Sequence, residues 1–262
     1  MVPDDAIIDW IFEASTWWLQ SFGGFEGFAR STRIVTPTEE DFPVDLDLEG
    51  HELVEDYLLF AMEHAHMGDW PIIVAPDEPA DVADVLRGMP HHMTSAPERV
   101  SPEPALEEGD PLPIPYTLAQ LDEPIALVAQ LARGLSHYLL YDARTPPPAD
   151  ASTRELVVDL GAAWLGFGVF LANSAFSYHQ HESGAMVGWG YRRRGALTQL
   201  DVTFALAVVA TLLDTPDGDV AAHLGTNPRG FFRSAVKHLH RHRPRDLDAL
   251  RAIPAPPGGP YR

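Results

Sequence analysis

Two stretches near the middle of the chain, Ala132-Arg133-Gly134-Leu135-Ser136-His137-Tyr138 and Glu155-Leu156-Val157-Val158-Asp159, decide how the rest is read. Each carries two polar residues four apart in an apolar run, so Arg133 shares one helix face with His137, and Glu155 shares another with Asp159. From Pro124 to Tyr141 the apolar positions Ile125, Leu127, Val128, Leu131, Leu135, Tyr138 and Leu139 wrap a broad face. Asp122-Glu123-Pro124 places an N-cap candidate and acids at the start of that helix. Pro146-Pro147-Pro148 ends the unit, and Ser152 or Thr153 opens the next. The spacing therefore predicts two packed helices whose shared face brings His137 within reach of Glu155 or Asp159.

These motifs resemble zincins of the gluzincin type, in which one helix carries His-Glu-x-x-His and a second carries the third metal ligand, often within Glu-x-x-x-Asp. The chain is similar to a bacterial zincin-like, metallopeptidase-like family whose second helix reads roughly Glu-Leu-x-x-Asp-Leu-x-Ala-x-x-Leu-Gly-Phe-Gly. The run from Glu155 to Gly168 matches that pattern. Ser21-Phe22-Gly23-Gly24, Gly188-Trp189 and His223-Leu224-Gly225-Thr226-Asn227-Pro228-Arg229 extend the similarity over most of the chain. The resemblance implies a zincin-like helical core in which Arg133 stands at the first-His position, Gly134 at the catalytic Glu and His137 at the second His. It carries no activity beyond the metal-site motif.

The substituted residues change the chemistry. A guanidinium is cationic at every accessible pH and has no lone pair to give a metal, so Arg133 repels zinc. A pair between Arg133 and Glu155 or Asp159 is expected to tie the two helices in place of the lost ion. Gly134 removes the base that would activate a metal-bound water, and costs the helix about 1 kcal/mol relative to alanine. No catalytic residue and no cofactor are expected. The chain reads as a non-catalytic zincin-like protein, a pseudoenzyme acting through binding to a protein or small ligand.

The alternative is a metal-dependent peptide or amide hydrolase whose zinc is rebuilt from His137, Glu155, Asp159 and an imported histidine. His51-Glu52-Leu53-Val54-Glu55 begins like the zinc motif but ends in Glu, and His64 and His66 lie two apart on a helix, where they diverge. His91-His92 and His179-Gln180-His181-Glu182 fall in loop-like stretches with metal-chelating chemistry, but read as surface histidines.

With 262 residues, 45% of them hydrophobic, the chain is long enough to bury a core in one compact unit. The absence of cysteine excludes disulfides, thiolate metal sites and cysteine nucleophiles. Residues 1–125 hold four arginines and 27 acids, whereas residues 126–262 hold 14 basic residues and 11 acids. The polyanionic first half disfavours nucleic acid and anionic membrane, and favours a basic protein partner or multivalent cations. Asp4, Asp5 and Asp9 stand where a leader would be basic and then apolar, so a cytoplasmic location is expected.

Along the chain, the pattern predicts a helix over Pro3–Gln20, a short strand at Arg33–Thr36, a helix over Gly50–His66 and a buried strand at Trp70–Ala75. Residues 76–115, rich in proline, glycine and acids, read as an irregular connection with a strand near Pro90–Thr94. Residues 156–176 read as one buried helix, since Asp159, Asn173 and mid-run glycines argue against a membrane span. Val202–Leu213 is a second apolar helix. A C-terminal helix sets Arg229, Arg233, Lys237 and Arg241 four apart, a basic stripe expected to pack on the acidic half. The expected fold is α+β and mostly helical: an acidic α+β part with a small sheet over 1–120, a zincin-like helical core over 121–252, and a disordered tail over 253–262.

Overall fold

The computed structural model describes residues 1–45, 47–76, 111–117, 120–150, 153–183, 186–193 and 195–256, with the backbone alone for 176–183 and 186–193. The protein is α+β and mostly helical. The first helix, α1 (Asp5–Ser21), starts where the Asp4 side chain accepts from the Ile7 amide at 3.0 Å. A short α2 (Gly24–Ser31) follows, which the sequence reading did not contain. Then come α3 (Gly50–His64) and two parallel strands, β1 (Ile72–Pro76) and β2 (Leu112–Tyr116), paired with Ile72 opposite Leu112 and Pro76 opposite Tyr116.

Four apolar helices make the centre: α4 (Pro124–Asp142), α5 (Arg154–Ala162), α6 (Gly168–Ser174) and α7 (Gln199–Leu212). Every residue of α7 from Val202 to Leu212 is buried, as expected of a helix apolar all round. Its start is fixed by a reciprocal cap between Thr198 and Asp201. Thr203 and Thr211 enter the core already paired, their hydroxyls donating to the Gln199 and Ala207 carbonyls. Between α6 and α7 lies an antiparallel hairpin, β3 (Phe176–Ser183) and β4 (Met186–Arg193). The chain finishes with α8 (Asp217–Ala222), α9 (Thr226–His242) and α10 (Pro244–Arg251).

Several expectations are corrected. The unbroken helix over 156–176 is two helices joined by a wide turn of π type, Ala163–Phe167, in which Gly166 takes φ +98°. The Gly166 carbonyl accepts from the Val35 amide at 3.0 Å, so Arg33–Thr36 is an extended segment docked on this turn and not a strand. His179–Glu182 lies in β3 and not in a loop. Residues 112–116, expected within an irregular connection, form β2. Residues 253–256 do not begin a disordered tail: Ile253 is buried and its carbonyl accepts from the Phe25 amide at 3.0 Å. The strand expected near Pro90–Thr94 and residues 257–262 lie outside the described residues. Arg154–Ser174 is long and apolar enough to cross a membrane by composition, yet 89% of that window is buried inside the protein.

The extended segment at 33–42 is held by a buried acid. Asp41, 5% exposed, accepts from the Thr36 amide at 2.5 Å, the Thr36 hydroxyl at 2.7 Å and the Arg33 guanidinium. Burial pushes its carboxyl up, but the hydrogen bonds from Thr36 and Arg33, with the charge of Arg33, outweigh burial and hold it below the usual carboxylate range. A folded pKa below the unfolded value near 3.8 means stability that is complete above that pH and lost as pH falls through the folded value. Asp41→Asn is therefore expected to cost about 1–3 kcal/mol near neutral pH. Urea midpoints should converge with the parent as pH falls below the folded value of Asp41; a gap that stays constant on acidification contradicts this account.

Candidate functional site

A cleft of about 1130 Å³ opens between β2, the outward face of α4, the start of α5 and the turn at Gly195–Ala196, with Trp70 at its rim. Four of the five residues singled out in the sequence, Arg133, Gly134, His137 and Glu155, line it. The fifth, Asp159, lies behind Arg133, 2% exposed. The guanidinium Nε donates to Asp159 Oδ1 at 2.5 Å, and Nη2 donates to the same oxygen. Oδ2 accepts from the amides of Ala196 at 2.7 Å and Leu197 at 2.8 Å. The expected tie between the two helices thus exists, and its acid is Asp159. It also clamps the turn leading into α7, which the sequence did not reveal. Gly195, at φ +105°, lets the backbone pass directly over the guanidinium, where a Cβ would collide with Nη2.

The second motif pair is placed by the same geometry. Arg133 meets Asp159 and the Tyr141 ring meets Arg154, whose guanidinium carbon stands 4.5 Å from the ring centroid, so α4 and α5 run antiparallel. His137 is therefore level with Glu155, and both face the cleft. The His137 ring stands edge-on to Tyr141, with centroids 4.9 Å apart. Among the described residues no group of three His, Asp or Glu side chains is gathered as a metal site.

Gly134 has a packing reason. A Cβ there would stand 2.5 Å from Cδ1 of Ile114, so β2 presses its buried isoleucine directly onto the position where the zincin pattern has Glu. The edge of β2 away from β1, which pairs with no further strand among the described residues, is unusual as well. The Leu112 amide bonds the Pro71 carbonyl at 2.7 Å, so Leu112, Ile114 and Tyr116 face β1, while Pro113 and Pro115 face outward. Proline has no N–H, so this edge offers carbonyls only, and the Pro113 carbonyl already accepts from the Tyr138 hydroxyl at 2.6 Å. An extended peptide cannot add here as a further strand with a full ladder of hydrogen bonds.

His51, His64 and His66 are each held locally. His51 Nδ1 bonds the Tyr116 hydroxyl at 2.8 Å and its Nε2 lies 3.4 Å from Glu55. His64 and His66 diverge, to the Asp41 and Ser31 carbonyls. His91-His92 lies outside the described residues. The basic stripe does not pack on the acidic half as expected: Arg233, Lys237 and Arg241 on α9 are exposed, and Arg229 folds back onto the Leu224 carbonyl. The link is made by Arg243, paired with Asp9 of α1 and with Asp246.

Comparison of the chain with protein-family models, with curated proteins and with solved structures gave no match in any of the three. The site is therefore argued from its own geometry. Removing Arg133 leaves a buried carboxylate facing only two amides, so Arg133→Leu is expected to cost about 3–5 kcal/mol. The double change Arg133→Gln with Asp159→Asn should recover part of that loss, because no uncompensated charge is left. Thermal melts of the three proteins check this; an Arg133→Leu protein as stable as the parent overturns the clamp.

Proposed function

We propose that this chain is a non-catalytic zincin-like protein, a pseudoenzyme that works by binding a protein or small ligand in the cleft above Arg133. The observation that carries the reading is the state of Asp159. A carboxylate has about four lone-pair sites, and here all are taken: two by the guanidinium of Arg133 and two by backbone amides. Nothing is left on Asp159 to hold a metal while the clamp stands. Arg133 itself brings a positive charge to the corner a zinc ligand would occupy, an opposition on the order of several kcal/mol at ~4 Å in a partly buried site.

Gly134 offers no base, and Ile114 fills the space in which one would swing. A catalytic zinc needs three protein ligands and an open position; with Asp159 committed, the two motif helices leave His137 and the exposed Glu155. What supports binding is the cleft itself, whose lining is mainly apolar and aromatic, with a few polar groups among Trp70, Ile114, Tyr138 and Tyr141. The acidic first half of the chain favours a basic partner over nucleic acid where that partner is a protein.

The test is the metal content of protein purified without a histidine tag, measured by mass spectrometry. The parent is expected to carry far less than one zinc per chain. Rebuilding the motif requires Arg133→His and Gly134→Glu together with Ile114→Ala, which clears the space over Gly134, and that variant should bind zinc. Stoichiometric zinc in the parent, lost on changing His137 or Glu155, would overturn the pseudoenzyme reading.

A further inference from the structure

We infer that the Arg133 end of the cleft is a receptor for the carboxylate of a small ligand with an apolar or aromatic body. This rests on the reading of the cleft as a binding site, and goes beyond it by naming the chemistry of the occupant. A guanidinium has five N–H donors in a planar fork. Asp159 uses Nε and one hydrogen of Nη2, and among the described residues Nη1 makes no hydrogen bond. Arg133 lines the cleft while Asp159 does not, so the unused edge of the fork faces the open space.

Three features make that edge a receptor rather than a chance surface cation. The side chain is 19% exposed and is held by a buried acid that two amides pin in turn, so little conformational freedom is lost on binding. Those two amide dipoles share the negative charge of Asp159, which leaves the guanidinium less than fully neutralised. One turn before it on the same helix, Gln130 lines the cleft with a carboxamide that has no hydrogen-bond partner among the described residues, a second donor beside the first.

The walls select the rest of the molecule. Ile114, Tyr138 and Trp70 give the same cleft apolar and aromatic lining. The edge of β2 lacks N–H donors, which removes the strand-like mode by which a protein cleft usually takes an extended peptide. Glu155, about one turn from the fork, and Asp142, further along α4, also line the cleft, so a second negative charge on the ligand is repelled. The class is a monocarboxylate with an aromatic or aliphatic body.

The probe is 4-phenylbutyrate against its neutral amide, 4-phenylbutanamide, each titrated into the full chain by calorimetry and followed by amide chemical shifts. The acid is expected to bind about tenfold more tightly than the amide, the size of one charge-assisted bidentate contact, with a preference that shrinks as salt rises. Gln130→Glu places a competing carboxylate beside the fork without touching the clamp, and should abolish the preference for the acid over the amide. Equal binding of acid and amide overturns the carboxylate receptor and leaves the binding cleft standing. A preference that survives Gln130→Glu puts the acid elsewhere and overturns it too; binding of neither compound overturns it together with its support in the cleft.

Discussion

A carboxylate buried at Asp159 organises the region around the cleft. Taking it out of water costs several kcal/mol, and four N–H donors offset that cost only if they arrive together. They come from segments 26 to 38 residues away along the chain, the guanidinium from α4 and the amides from the turn before α7. One acid on α5 therefore ties α4 to α5 and holds the turn that leads into α7. A bound metal could join the two helices in the same place, but it would not reach the two amides, so the guanidinium clamp is a different solution with a wider span.

Asp41 repeats the device on a smaller scale. It gathers Thr36, Arg33 and the backbone of an irregular segment, while its own carbonyl takes His64 from α3. The two clamps differ in their cations. Arg33 is 56% exposed and water screens it, whereas Arg133 is 19% exposed and sits against packed helices. The first organises a surface segment; the second belongs to the core.

The long helices were legible because their apolar spacing and their caps agree: α1, α3, α4 and α7 lie within a few residues of the sequence reading. What escaped it had a local cause in each case. β2 is disguised by Pro113 and Pro115, which only an edge facing away from its partner strand tolerates. The π turn at Gly166 is invisible to a periodicity argument, since the apolar run continues across it. At the site, the residue types gave Arg133 a carboxylate partner but not the identity of the second half of the clamp, because backbone amides carry no sequence signature. Gly134 is the reverse case: its identity was plain, and its reason, the isoleucine of a strand 20 residues earlier, was not.

The last segment of the chain closes on the first. Ile253 bonds to Phe25, Arg243 pairs with Asp9, and α10 packs on α1 and α2, contacts that span more than 200 residues. Loops of that length are slow to close, because the entropy of bringing their ends together must be met before the contacts reward it. The part of α1 that α10 covers is therefore buried only after about 220 further residues have been made, whereas its contacts with α2 and α5 can form earlier. Contacts among the middle helices are more local and carry a smaller closure cost, so the pairing of Arg243 with Asp9 and of Ile253 with Phe25 adds to a core that those helices already provide.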